Sequence, residues 1–119
     1  MKDFKELQVW QKAHQLTLLL YNTTGTFPAD EKYGLVSQIK RAASSVAANI
    51  AEGCGKNGDA ELARYLQIAM GSASELEYHL LLAYDLKMIE ATNYKILENN
   101  VIEVKKMLAS FIKKLRTNT

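Results

Sequence analysis

Residues 40–59 read KRAASSVAANIAEGCGKNGD, an unusual composition for a helix of a small protein. The ten residues between Arg41 and Glu52 carry no charge, and seven of them are alanine or serine. Two adjacent helical stripes run through this stretch: Ala42, Val46 and Asn49, and Ala43, Ala47 and Ile50. A helix that faces solvent keeps charged residues on its outer side. We therefore predict a helix that is covered on more than one face.

Three further segments share this helical periodicity, and turns separate them. The first opens at Asp3 and Glu6, which are spaced as a capping box, and runs to about Thr23. The helix containing the small-residue stretch should start near Pro28, since proline suits a first helical turn. The third and fourth have these inward positions: Leu62, Leu66, Ala69, Ala73, Leu76, Leu80 and Ala83, then Tyr94, Leu97, Val101, Val104, Leu108, Phe111 and Leu115. Strand-like alternation is absent. The sequence predicts an all-α fold, an up-down-up-down antiparallel four-helix bundle that forms one domain over residues 1–119.

The glycines after the small-residue stretch match a dinucleotide-binding motif in letters only. Gly53, Gly55 and Gly58 fit G-x-G-x-x-G, but that motif needs a strand before the glycines, and here a helix precedes them. We interpret the segment as a turn in which Gly53 ends one helix and Asn57 or Asp59 caps the next.

Residue types that carry chemistry are sparse. Cys54 is the single cysteine, which excludes an internal disulfide and a multi-cysteine metal site. Glu75 and His79 are four residues apart rather than three, and the second Glu-x-x-His motif of a di-iron bundle is missing. Neither a Ser/His/Asp nor a Cys/His set is recognisable. We expect no enzyme, no metal and no cofactor.

The chain also lacks the signs of a membrane or secreted protein. No apolar run reaches the length of a membrane span. The first ten residues carry acids where a signal peptide has its apolar run, so we expect a cytoplasmic protein without a membrane partner.

Polar residues near the inward stripes predict a structural core pair. An antiparallel register through the glycine turn places Arg41 opposite Gly71 and Ser72, with Glu75 one turn further on. We expect a buried Arg41–Glu75 ion pair that Gln38 supports, because a buried charge must be paired. Asn49 should fix the register by hydrogen bonding, as a polar core residue does in a coiled coil.

Apolar surface exceeds what a small bundle can bury. Besides the small-residue helix, segments 18–21 and 80–83 are apolar nearly all round. Surplus apolar surface commonly marks a protein interface, so we expect a homo-oligomer.

Several motifs together resemble a family of small four-helix bundles, which is named for proteins encoded in intervening sequences of 23S ribosomal RNA genes. The resemblance covers almost the whole chain and rests on these residues: Phe4-x-x-Leu7-x-Val9-Trp10-x-x-Ala13, Phe27-Pro28-x-x-Glu31-x-Tyr33-Gly34-Leu35, Gln38-Ile39-x-Arg41-Ala42-Ala43-x-Ser45, Asn49-Ile50-Ala51-Glu52-Gly53 and Ala69-x-Gly71-Ser72-x-x-Glu75-Leu76-Glu77. The turn after the third helix departs from the family, which often has glycine where this chain has Lys87.

The resemblance implies a homopentamer with a basic face for nucleic acid. It does so because the fold family is similar to the accessory protein of diversity-generating retroelements, a pentameric barrel that binds nucleic acid and a reverse transcriptase. The net charge of +2 is small for such a role. The last segment nevertheless holds five basic residues and no acid from residue 105 to residue 116.

We therefore predict a non-enzymatic homo-oligomer that contacts structured RNA or DNA through phosphates. The candidate residues are Lys40, Lys56, Lys105, Lys106, Lys113, Lys114 and Arg116. Two alternatives stay open. Cations also suit the C-terminus of any helix, and the oligomer could instead be a scaffold that docks a partner enzyme and ignores nucleic acid.

Overall fold

The computed structural model describes residues 2–117, and four helices contain most of them. They are α1 (Gln8–Thr24), α2 (Leu35–Cys54), α3 (Asp59–Asp85) and α4 (Ala91–Thr117). Within the described range there is no strand. The helices form a rod of 47 × 22 × 20 Å in which α2 and α3 pack most extensively and α1 and α4 least. The predicted up-down-up-down four-helix bundle is confirmed.

The inward stripe of α3 shows why the periodicity was informative. Leu66, Leu76 and Leu80 are at most 1% exposed, and the alanines between them are buried as well. Burying one leucine side chain stabilises a fold by about 1.5–3 kcal/mol. On α2, both predicted stripes are buried except for Asn49, which is half-buried.

The first two helices begin later than predicted. Asp3 does act as a cap, since its Oδ1 accepts a hydrogen bond from the Lys5 N–H at 3.0 Å, but it caps a 3₁₀ turn at Phe4–Glu6. The backbone is then extended at Leu7, so α1 starts at Gln8. Pro28 likewise leads into a 3₁₀ turn, at Ala29–Glu31.

Gly34 separates that second turn from α2, because its backbone (φ −103°, ψ −110°) is not helical. The Glu31 carboxylate accepts a hydrogen bond from the Leu35 N–H at 3.3 Å and so serves the first turn of α2.

The α2–α3 turn differs from the predicted one in two respects. Gly53 does not end α2; it is buried within the helix, which continues to Cys54. At its other end, Gly58 occupies the cap position of α3 with φ +87°, and neither Asn57 nor Asp59 caps the helix through its side chain. A positive φ favours glycine, so Gly58 allows the chain to reverse here.

Lys87 adopts a conformation that normally belongs to glycine. It follows α3 with φ 66°, while the Met88 N–H donates to the Ala83 carbonyl at 2.9 Å, the arrangement of a Schellman motif. A non-glycine residue in the left-handed region costs about 1–2 kcal/mol. The loop therefore keeps a glycine-type geometry although the glycine is absent.

Lys87→Gly should raise the free energy of unfolding by about 0.5–1 kcal/mol, because the strain that it removes outweighs the entropy that glycine adds to the unfolded chain. Urea denaturation at a fixed protein concentration measures the change. Lys87→Ala is the matched control: it removes the same side chain but keeps the strain. A glycine variant no more stable than the alanine variant would contradict the strained geometry.

Candidate nucleic-acid interface

The last three turns of α4 present basic side chains on the outside of the bundle. Four of the predicted residues are exposed there: Lys106, Lys113, Lys114 and Arg116. Ile112 and Leu115, between them, are buried and anchor this part of α4 to the core. From residue 104 to residue 117 α4 carries no acid. Cations also stabilise a helix C-terminus, so the arrangement suits the fold as well as an anionic partner.

Charge is distributed unevenly along the rod. One half contains residues 2–9, 46–70 and 106–117, and we call it the basic half because it has eight basic and five acidic residues. The opposite half contains residues 17–41 and 71–98, with five basic and seven acidic residues. An anionic partner is therefore attracted to the half where α4 ends.

Three predicted basic residues lie apart from the exposed group. Lys105 donates to Glu77 Oε1 on α3 at 2.8 Å, so its charge is already paired. Lys40 is half-buried in the opposite half, with Nζ 4.7 Å from the centre of the Tyr21 ring. Lys56 is exposed in the α2–α3 turn and belongs to the basic half.

Arg64 is a basic residue of this half that the sequence analysis missed. Its guanidinium lies 4.6 Å from the centre of the Tyr65 ring and forms an ion pair with Glu61 at 2.9 Å. The hydrogen bond from Arg64 lowers the pKa of Glu61, and the same bond raises the pKa of Arg64.

A groove of about 610 Å³ runs between the start of α1 and the end of α4. Its floor is apolar and consists of Leu7, Val9, Met107 and Phe111. Its rim is polar and consists of Glu6, Gln8, Lys106, Ser110 and Lys114. The sequence did not predict it, because helical periodicity does not reveal which pair of neighbouring helices packs least closely.

The predicted buried ion pair is wrong for the single chain. Arg41, Gln38 and Glu75 are all exposed, and within residues 2–117 no ion pair joins Arg41 to Glu75. Instead, Glu75 Oε2 lies 3.2 Å from His79 Nε2 on the same helix. The Arg41 and Glu75 side chains lie on the solvent side of their helices, which is why they form no buried pair. The register also differs from the predicted one. Ser45 lies opposite Ser72, which the sequence analysis had placed opposite Arg41, one turn away.

Asn49 is half-buried and does form hydrogen bonds, but within its own helix. Its Nδ2 donates to the Ser45 carbonyl at 2.8 Å and to Ser45 Oγ at 3.0 Å. The link to α3 is the Ser45–Ser72 bond at 2.9 Å, in which either hydroxyl can donate. Asn49 therefore orients Ser45, and Ser45 makes the contact between the helices.

The outer surface of α2 is uncharged for several turns and open to solvent in the single chain. We define the α2 face as Ser44, Ala48 and Ala51, of which Ala48 is exposed. The helices on either side of α2 also expose large apolar side chains: Leu18 and Tyr21 on α1, and Ile68 and Tyr78 on α3.

Groups suited to catalysis or metal binding are not brought together in the described part of the chain. Residues 2–117 contain no cluster of three His, Cys, Asp or Glu side chains that could hold a metal ion. Burial raises the pKa of the Cys54 thiol, which makes it a poor nucleophile. His14 stacks on Trp10 with ring centres 4.8 Å apart. None of the helices in this range is long and apolar enough to span a membrane.

Comparisons with known proteins agree with this architecture. A family model described as "23S rRNA-intervening sequence protein" matches residues 5–110. The chain is also similar to a crystal structure from Bacteroides thetaiotaomicron, a protein with unknown function from the S23 ribosomal protein family. The two are 29% identical with a TM-score of 0.82, and the match covers 88% of this chain and 95% of the other. No curated protein matches the chain significantly.

Proposed function

Because the chain belongs to the family of 23S rRNA-intervening sequence proteins, whose model matches residues 5–110, we propose that it is a non-enzymatic, homo-oligomeric nucleic-acid-binding bundle of the cytoplasm. Its ligand is structured RNA or DNA, and the contacts are made to phosphates by the exposed lysines and arginine at the end of α4. The single observation that carries the proposal is this group of exposed basic residues on a segment of α4 without any acid.

The positions of the side chains support phosphate contacts. Lys106 and Lys113 are seven residues apart, so they lie on nearly the same side of α4 at a distance of about 10 Å along its axis. Lys114 flanks them towards α1, and Arg116 flanks them towards α3. A surface of this kind neutralises several phosphates without reading base sequence, so binding should be weakly selective and sensitive to salt.

We expect Lys113→Ala with Lys114→Ala to weaken binding of a labelled RNA hairpin and to reduce its salt dependence by about two charges. Fluorescence anisotropy at several salt concentrations measures both quantities. The matched control is Lys32→Ala with Lys95→Ala, which removes the same charge from the opposite half. Equal weakening by both double variants would contradict a localised interface. Absence of binding by the unmodified protein at low salt would remove the proposal.

Assembly is the second part of the proposal, and the α2 face supports it. A monomer would expose this uncharged strip to water, together with the large apolar side chains on α1 and α3, whereas a second copy could cover them. The small side chains of the α2 face allow another copy to approach closely. The family resemblance suggests five copies.

A second candidate function is a scaffold that docks a partner protein. The groove between α1 and α4 favours it, because an apolar floor with a polar rim can also accept a peptide or helix. A protein that fails to bind nucleic acid at low salt but retains its assembly would favour this candidate.

A further inference from the structure

We infer that the groove between α1 and α4 holds unpaired nucleotides, so that the protein prefers single-stranded segments or loops to a continuous double helix. This inference rests on the proposed nucleic-acid binding and specifies the ligand class. It starts from the position of the groove, which directly adjoins the exposed basic residues at the end of α4: Lys106 and Lys114 belong to both.

The lining of the groove matches the three parts of a nucleotide. Its apolar floor includes the half-buried Phe111 and Met107, which offer a surface for the flat face of a base. On the rim, Lys106 and Lys114 are two helical turns apart, about 12 Å, and can neutralise phosphates on either side of an inserted base. Gln8 and Ser110 provide donors and acceptors for a base edge.

The groove suits an unstacked base better than a double helix. The volume of about 610 Å³ lies in the range of pockets that hold small molecules. A duplex presents a charged, convex backbone and keeps its bases stacked inside, so a recessed apolar floor offers it little contact. Bases in loops and single strands are free to leave the stack and enter such a recess.

Charge complementarity favours a polyanion over a neutral ligand. The rim carries two exposed lysines from α4, and Lys113 lies next to Lys114 on the same helix. Among residues 2–117, Glu6 is the one acid that lines the groove. Its carboxylate repels phosphate but can accept hydrogen bonds from the amino group of a base, as acidic side chains do with cytosine.

Ser110→Trp tests the inference, because the indole would fill the groove without removing a charge. The probes are a short labelled RNA that cannot self-pair and a duplex of the same sequence, measured by anisotropy at one salt concentration. We expect the unmodified protein to bind the unpaired RNA at least about fivefold more tightly. Ser110→Trp should abolish this preference while duplex binding stays unchanged. Asn99→Trp, at an exposed position of α4 outside the groove, is the control and should keep the preference.

The outcomes separate this inference from the proposal on which it rests. Equal binding of both RNAs by the unmodified protein, or a preference that survives Ser110→Trp, would overturn the groove as a nucleotide site while leaving phosphate binding in place. If Ser110→Trp and Asn99→Trp both abolish the preference, the effect does not come from the groove, and the inference also fails. If the unmodified protein binds neither RNA, both the nucleotide site in the groove and the proposed nucleic-acid binding are overturned.

Discussion

Gly53→Ala should lower the free energy of unfolding by about 1–3 kcal/mol, although alanine is the better helix former. Gly53 lies inside α2 where that helix meets α3. A Cβ at this position would stand 2.8 Å from Tyr65 Cβ and 3.0 Å from Leu62 Cδ1. The first of these atoms is fixed to the backbone of α3 and cannot move aside alone. The two helices would therefore have to separate at this level.

Gly71→Ala is the matched control within α3. A Cβ there would have no neighbouring atom within 4 Å, so the substitution should stabilise the chain by about 0.5–1 kcal/mol through helix propensity. Urea denaturation at a fixed protein concentration measures both variants, because assembly makes stability depend on concentration. The two substitutions should change the free energy of unfolding in opposite directions. Destabilisation of similar size at both positions would mean that close approach of α2 and α3 is not the reason for glycine at position 53.

Ala48→Glu should convert the proposed homo-oligomer into a monomer. Ala48 lies at the centre of the α2 face, and every interface in a symmetric assembly would receive the new charge. Burying an unpaired carboxylate, or bringing like charges together, costs several kcal/mol, which corresponds to a dissociation constant raised about a thousandfold or more. In the single chain Ala48 is exposed, so the fold of the protomer should be retained.

Light scattering coupled to size exclusion gives the mass of the particle, and far-UV circular dichroism checks the fold. Asn99→Glu adds the same charge at an exposed position of α4 and should leave the assembly unchanged. A monomeric unmodified protein would contradict the proposed assembly. An Ala48→Glu variant with unchanged mass would place the interface elsewhere on the bundle.

The buried positions within each helix could be predicted from the sequence, because burial follows helical periodicity. The stripe from Leu62 to Ala83 is buried at every predicted position. Helix ends were less predictable, because local bonds compete with the general signals. At the start of α1, for example, Gln11 Nε2 donates to the Lys5 carbonyl at 2.9 Å and stabilises the 3₁₀ turn before the helix.

The register and the side-chain contacts between helices could not be predicted from periodicity. The register of α2 against α3 depends on where α2 ends and on the backbone of Gly58, so a small error in the turn shifted the predicted partners across this pair of helices by about one turn. The exposure of Arg41 and Glu75 is a separate matter, because it depends on which side of each helix faces the core. Among the basic residues, the run along α4 was visible in the sequence. The Lys105–Glu77 pair could not be predicted, because its two residues are 28 positions apart in the chain and lie on different helices.

An even number of antiparallel helices brings both ends of the described chain to the same pole of the rod. The Lys2 N–H donates to the Cys54 carbonyl, and Thr117 lies beside Gln67, so both belong to the basic half. A purification tag or surface tether at either terminus would therefore sit next to the candidate interface and could screen or block it. The α3–α4 loop, near Leu86, is at the far pole and is the better site for a fluorophore or an immobilisation handle.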